Sequence, residues 1–243
     1  MAENIECHER IARFHILSIH ELGVRMEADF LKQENEQLNK TLVTLMELYE
    51  DQRIDNRTFP NEPEFRAYML ISHINDHEVA RGIMDLPSPI FNHPLLQTAF
   101  DLRALAQRNF DSQKIGSGYN TEVSQNFFSR FFKVVNNDKV PFLLACLAHA
   151  KFGDVRRAAL RALTKAYPRL PSGDYTSARV LSMDMAIKLL GCQSPDEVIT
   201  TVETLGLDVI WSDDNSEPIG VAVNMGSDFK GEPFSSAFVT CLY

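Results

Sequence analysis

For most of its length this chain repeats one pattern, in which apolar residues recur three and four positions apart in segments that end at prolines, glycines or short polar runs. From Ile5 to Tyr167 that period predicts consecutive helices and leaves little room for strands. Ile5 to Leu22 is one helix, closed near Gly23. A second runs from about Glu27 to Glu50, with Leu31, Leu38, Leu42, Leu45 and Tyr49 on a narrow seam and a polar surface elsewhere. Asn61 and Glu64 read as a capping box with Pro63 in the first turn, opening a helix that carries Phe65, Tyr68, Met69 and Ile71. Leu86 to Pro89 breaks the chain, and Pro94 opens a helix with Leu95, Ala99, Leu102 and Ala106 on one side. Ile115 to Gly118 is a turn, and Asn120 to Val135 is a helix bearing Val123, Phe127, Phe128, Phe131 and Phe132. Such a concentration of aromatics marks a core helix or a buried partner surface. Pro141 to Phe152 is apolar almost all round and is expected at the centre of the fold. Asp154 caps the next helix, and Pro168 ends it.

The pattern changes after Pro168. Tyr175 to Val180 is a short strand, Ser182 to Leu190 a helix stopped by Gly191, and Ser194-Pro195-Asp196-Glu197 opens another helix. That helix has Val198, Val202 and Leu205 as its apolar stripe and stops at Gly206; Leu207 to Trp211 and Ile219 to Met225 then form a hairpin. Strand, helix, helix, hairpin is the order of a winged helix, a module that meets nucleic acid in some proteins and other proteins elsewhere. The expected fold is therefore mainly α. A stack of helices of the helical-repeat, PCI-like kind occupies residues 1–170, and a winged helix with a small β-hairpin occupies 171–243.

Charge is distributed unevenly. The whole chain carries a net charge of -9, yet residues 151–188 hold eight Lys and Arg against three acids. Arg157, Arg161 and Lys165 fall four apart on one helix face, while Val155, Ala159, Leu163 and Ala166 occupy another. A basic island in an acidic chain points to an anionic partner at one place. The same row is also what a solvated helix face looks like, with Arg stems covering the core. With Arg156, Arg169 and Lys188 it forms the candidate nucleic-acid surface, expected to hold phosphates without reading bases. Residues 196–243 carry nine acids and one base, so the hairpin is a poor phosphate contact. Its apolar side chains, Ile210, Trp211, Ile219 and Val221, are the candidate partner-binding face.

Other chemistries find little support. The longest apolar run, Val140 to Ala148, is far short of the roughly 20 residues that span a bilayer, so no membrane partner is expected. Met1 to Glu6 has neither the basic start nor the apolar block of a signal peptide, and the amphipathic pattern begins at once, as in a fragment excised from inside a domain. Cys7, Cys146, Cys192 and Cys241 lie far apart, and four free thiols in a reducing compartment are expected. His73 and His77, one helical turn apart, have the spacing of a zinc pair but no third ligand in sequence, so no metal site is assigned. His8-Glu9 lacks the second histidine of a zinc-protease helix, Gly116-Ser117-Gly118 lacks the Lys of a phosphate loop, and no nucleophile elbow occurs. Cys146 and His149 stand close in an apolar helix that disfavours a thiolate. No catalytic residue or cofactor is nominated.

Four runs carry a family resemblance. They are Asn61-Glu62-Pro63-Glu64-Phe65-Arg66-Ala67-Tyr68, Phe127-Phe128-Ser129-Arg130-Phe131-Phe132-Lys133-Val134, Leu144-Ala145-Cys146-Leu147-Ala148, and Val155-Arg156-Arg157-Ala158-Ala159-Leu160-Arg161-Ala162-Leu163. In that order, over about residues 5–210, they resemble the SAC/GANP family, and Ile5 to His15 looks like its fungal form. The resemblance implies a scaffold subunit of the nuclear complex that couples transcription to mRNA export. It implies no enzyme activity and no cofactor. The implied partners are a PCI-domain protein, a small acidic stabilising subunit, and RNA or DNA bound without sequence preference, all in a hetero-oligomer in the nucleus at the nuclear pore. The family's pore-anchoring and export-receptor segments resemble nothing here. A competing reading with the same architecture is a PCI-type structural subunit of a proteasome lid or translation-factor complex, which needs no nucleic acid.

Overall fold

Caps and breakers set most element boundaries in the computed structural model, which describes residues 2–22, 28–55, 57–110, 127–166, 180–212, 214 and 216–223. Among the described residues the chain is mainly helical, with eleven helices and a small antiparallel sheet of three strands toward the C-terminus. By compactness it divides into two units, Met1–Gln107 with Val134–Lys151 and Arg108–Lys133 with Phe152–Tyr243. The boundary expected at residue 170 lies outside the described residues.

The first unit is built around α1 (Ala2–Leu22), α2 (Ala28–Ile54), α3 (Glu62–Ser72) and α8 (Phe142–His149), with α1 and α3 each packed on both α2 and α8. The seam on α2 is real: Leu31, Leu38, Leu42, Leu45 and Tyr49 are all buried, against Ile5, Ala12 and Ile16 of α1 and the inner face of α3. Full burial of each leucine contributes about 2 kcal/mol. The shorter α4 (His77–Met84), single-turn α5 (Ser88–Phe91) and α6 (Pro94–Phe110) follow. Leu96, rather than Leu95, joins Ala99, Leu102 and Ala106 in the core.

Long-range contacts override several local signals. Asn61 precedes α3 but makes no side-chain cap; its amide instead donates to Glu9 at 2.7 Å, which also accepts from the Tyr49 hydroxyl at 2.7 Å. Glu64, the other half of the expected box, accepts both forks of Arg13 at 2.9 and 2.8 Å and the Tyr68 hydroxyl at 2.8 Å. Burial alone would raise the Glu64 carboxyl, but Arg13 and Tyr68 overcome it and hold the group below the usual carboxylate range. His73 ends α3 and His77 starts α4, so the two imidazoles are not one turn apart on a single helix. The helix expected from Pro141 to Phe152 ends earlier, at His149, and Phe152 already belongs to the next helix, because the chain turns at Ala150 and Lys151, where Lys151 N–H donates to the Ala148 carbonyl at 2.9 Å. Phe142, expected to be central, is 62% exposed.

The second unit contains most of α7 (Phe127–Val135), then α9 (Phe152–Ala166), β1 (Val180–Ser182), α10 (Met183–Leu190), α11 (Pro195–Thr204), β2 (Val209–Trp211) and β3 (Pro218–Ala222). Phe127, Phe128, Phe131 and Phe132 of α7 are buried, which settles the aromatic cluster as core. Ser194 caps α11 by accepting from Glu197 N–H at 3.3 Å, and Gly191 closes α10 in the left-handed region at φ 61°. The sheet order is β1-β3-β2, all antiparallel. Residues 120–126 of the expected aromatic helix and 175–179 of the expected first strand lie outside the described residues.

Candidate nucleic-acid and partner surfaces

The basic helix begins three residues earlier than its sequence predicts. α9 starts at Phe152, so Asp154 sits inside the first turn, where its carboxylate accepts from Arg157 Nη2 at 3.1 Å rather than capping the helix. Phe152, Val155, Arg156, Ala159 and Leu160 fall at i, i+3, i+4, i+7 and i+8 and are all buried. That stripe places an arginine in the core.

Arg156 is fully buried, and its Nε and Nη2 are engaged by neighbours while the buried Nη1 has no hydrogen-bond partner among the described residues. Nε donates to the Leu190 carbonyl at 2.9 Å and Nη2 to the Gly191 carbonyl at 3.0 Å, so the side chain satisfies the open C-terminal end of α10. Nη2 also pairs with Glu197 Oε1 at 2.7 Å. The guanidinium lies 5.4 Å from the Phe152 ring centre and 5.9 Å from that of Phe132. Glu197 uses its other oxygen to accept from Gln193 N–H at 2.7 Å, just ahead of α11. One ion pair therefore ties α9 to the end of α10 and the start of α11. Cys192 is buried beside it, and burial pushes its thiol up to about 12.

Burial removes two members of the expected phosphate-binding set. Arg156 is enclosed, and Arg157 is buried and paired with Asp154. Arg161 is half-buried and Lys188, on α10, is exposed. The Lys165 side chain and Arg169 lie outside the described residues. The structure therefore brings Arg156, the neighbour of the row, into contact with the end of α10. The sequence signal for a buried Arg156 is the apolar stripe through 152, 155, 159 and 160, which encloses position 156.

The hairpin divides its apolar residues between two faces. Ile210 pairs with Gly220 and Trp211 with Pro218 across a bulge between the two β2 residues. Gly220 and Pro218 are two apart and share a face, so Ile210 and Trp211 share it as well. Trp211 is 40% and Ile219 51% exposed. Val221 is the exception to the expected partner face. It pairs with Leu181 and Val209 on the inner side of the sheet and is fully buried. Asp208, Asp214 and Glu217 around the hairpin are exposed, so this end of the unit is acidic.

Among the described residues no group of three His, Cys, Asp or Glu side chains could hold a metal, and no helix is long and apolar enough to cross a membrane. Cys7, Cys146 and Cys192 are free thiols; Cys241 lies outside the described residues.

The profile of the SAC3/GANP family matches residues 1–210. SAC3 family protein 1 of Schizosaccharomyces pombe is 39% identical over 220 residues, covering 88% of this chain and 20% of that protein. SAC3 family protein B of Arabidopsis thaliana is 32% identical over 167 residues, covering 66% of this chain and 9% of its own length. Protein xmas of Drosophila melanogaster is 29% identical over 203 residues, covering 83% and 9%. The chain thus spans a fifth or less of the length of these relatives.

Proposed function

We propose, since this chain belongs to the SAC3/GANP family, that it is a non-enzymatic scaffold region of a nuclear mRNA-export complex that couples transcription to export. The observation that carries the reading is the family match, which runs unbroken through both units as far as β2. In this reading the first unit is a PCI-like stack of helices, and the succession β1-α10-α11-β2-β3 is a winged helix. The accessible apolar residues of the hairpin, Ile210 and Trp211 on one face and Ile219 at the outer end of the other, receive a PCI-domain protein. A small acidic subunit stabilises the pair, and the assembly works in the nucleus at the pore.

Nucleic acid is bound without base specificity by Arg161, Lys165, Arg169 and Lys188. Arg156 and Arg157 support that surface from beneath, since burial and carboxylate partners already occupy them. The acidic hairpin leaves phosphate contact to the helices. Co-purification of the tagged chain tests the proposal: a PCI-domain protein should accompany the parent chain and be lost from a Trp211→Asp, Ile219→Asp double variant that melts as the parent does. Recovery of the same partners with both chains would contradict the assigned face.

A further inference from the structure

Apart from Arg169, the basic residues assigned so far come from α9 and α10, yet the described surface of the second unit has a further cationic element. On α7 the four phenylalanines point inward, and Arg130 and Lys133 occupy the opposite, exposed face. α7 contains no acidic residue. Among the described residues neither Lys133 nor Lys188 has an ion-pair partner, in contrast to Arg156 and Arg157.

These cations converge on one junction. The C-terminal end of α7 abuts that of α10, where a Cβ built on Gly191 would lie 2.5 Å from Phe132 Cδ1. Lys133 follows Phe132 directly. Lys188 precedes Gly191 by three residues, about 4.5 Å along the axis of α10. Two lysines without an ion-pair partner among the described residues thus stand, along their helices, within a turn of the same contact. The carbonyls that would repel an anion at this helix end, those of Leu190 and Gly191, are already engaged by Arg156.

From this juxtaposition we infer that α7 is part of the nucleic-acid surface, with Lys133, aided by Arg130, and Lys188 holding phosphates of one single strand at the α7–α10 junction. The inference rests on the nucleic-acid reading of the second unit and extends it to an element outside the basic island. Recognition is of phosphate alone, because the aromatic side chains of α7 face the core and offer bases nothing to stack on. The bland alternative is that each lysine, in the last turn of its helix, merely complements the helix dipole.

Salt dependence separates the two. The full chain would be titrated with a fluorescent oligouridine of about 16 nucleotides over a range of salt concentrations. Lys133→Gln and Lys188→Gln should each flatten the log–log salt slope by about 0.7, and the double variant by about 1.4, as expected for phosphate contacts on a single strand. Lys139→Gln, which removes an exposed lysine from the first unit, should leave the slope unchanged, and Lys133→Arg should keep the parental slope. A parental slope for Lys133→Gln beside a flattened one for Lys188→Gln would overturn the role of α7 and leave the wider reading intact. Absence of salt-dependent binding by the parent chain would sink that reading and this inference with it.

Discussion

At the scale of single residues the structure turns on charges placed inside it. Arg156 neutralises Glu197 and fills the acceptors at the end of α10, so truncating it strands a carboxylate as well as two carbonyls. Arg156→Met should lower the unfolding free energy by about 3 kcal/mol in urea titrations. That is the lower end for a broken buried pair, because Glu197 keeps 13% of its side chain exposed. Adding Glu197→Gln should restore part of the loss, and two additive losses would show that the residues act separately. In the first unit, Tyr49→Phe takes one of two short hydrogen bonds from the buried Glu9 carboxylate. It should cost about 1–3 kcal/mol by the same measurement. The thiols respond to pH in a defined direction. Burial raises Cys146 to about 11 and Cys192 to about 12, from an ordinary value of 9.0. The folded chain therefore holds those protons after the unfolded chain has lost them, and stability should fall as pH rises from 9 toward 12. Below pH 9 both thiols should resist alkylation in the native state, whereas exposed Cys7 should react.

At the scale of elements, what could be read in the sequence was what neighbours in the chain decide. Ser194 with Glu197, Gly191 and the leucine seam of α2 lie where their local signals place them, because caps and periodicity act within a turn or two. The misreadings arose where distant residues decide. Asn61 abandons its cap for Glu9, 52 residues away, and Arg156 enters the core because Leu190, Gly191 and Glu197 receive it there. The break between α8 and α9 falls at Ala150 and Lys151 rather than at Gly153, where the sequence places it, because the glycine is taken into the first turn of α9. Gly191 joins the two kinds of information. Its positive φ stops α10, and the absence of a side chain admits Phe132. Gly191→Ala meets both obstacles and should destabilise the chain by about 2–4 kcal/mol, adding left-handed strain to a core clash. A thermal melt within a degree of the parent would show that Phe132 moves aside at little cost.

At the scale of the whole molecule, family membership supports the proposed account, in which a scaffold presents an apolar hairpin to a protein and a basic helical face to nucleic acid. How far the basic face was legible in sequence is instructive. Composition located the island at residues 151–188, but charge counts do not distinguish a guanidinium held by Glu197 from an ammonium in water. The most direct test of the central claim is the distribution of polyadenylated RNA, by fluorescence in situ hybridisation, in cells whose only copy carries Trp211→Asp and Ile219→Asp. The account predicts accumulation of that RNA in the nucleus, with normal levels of the variant protein. A distribution identical to that of parental cells, with the partner protein demonstrably lost from the variant, would contradict it.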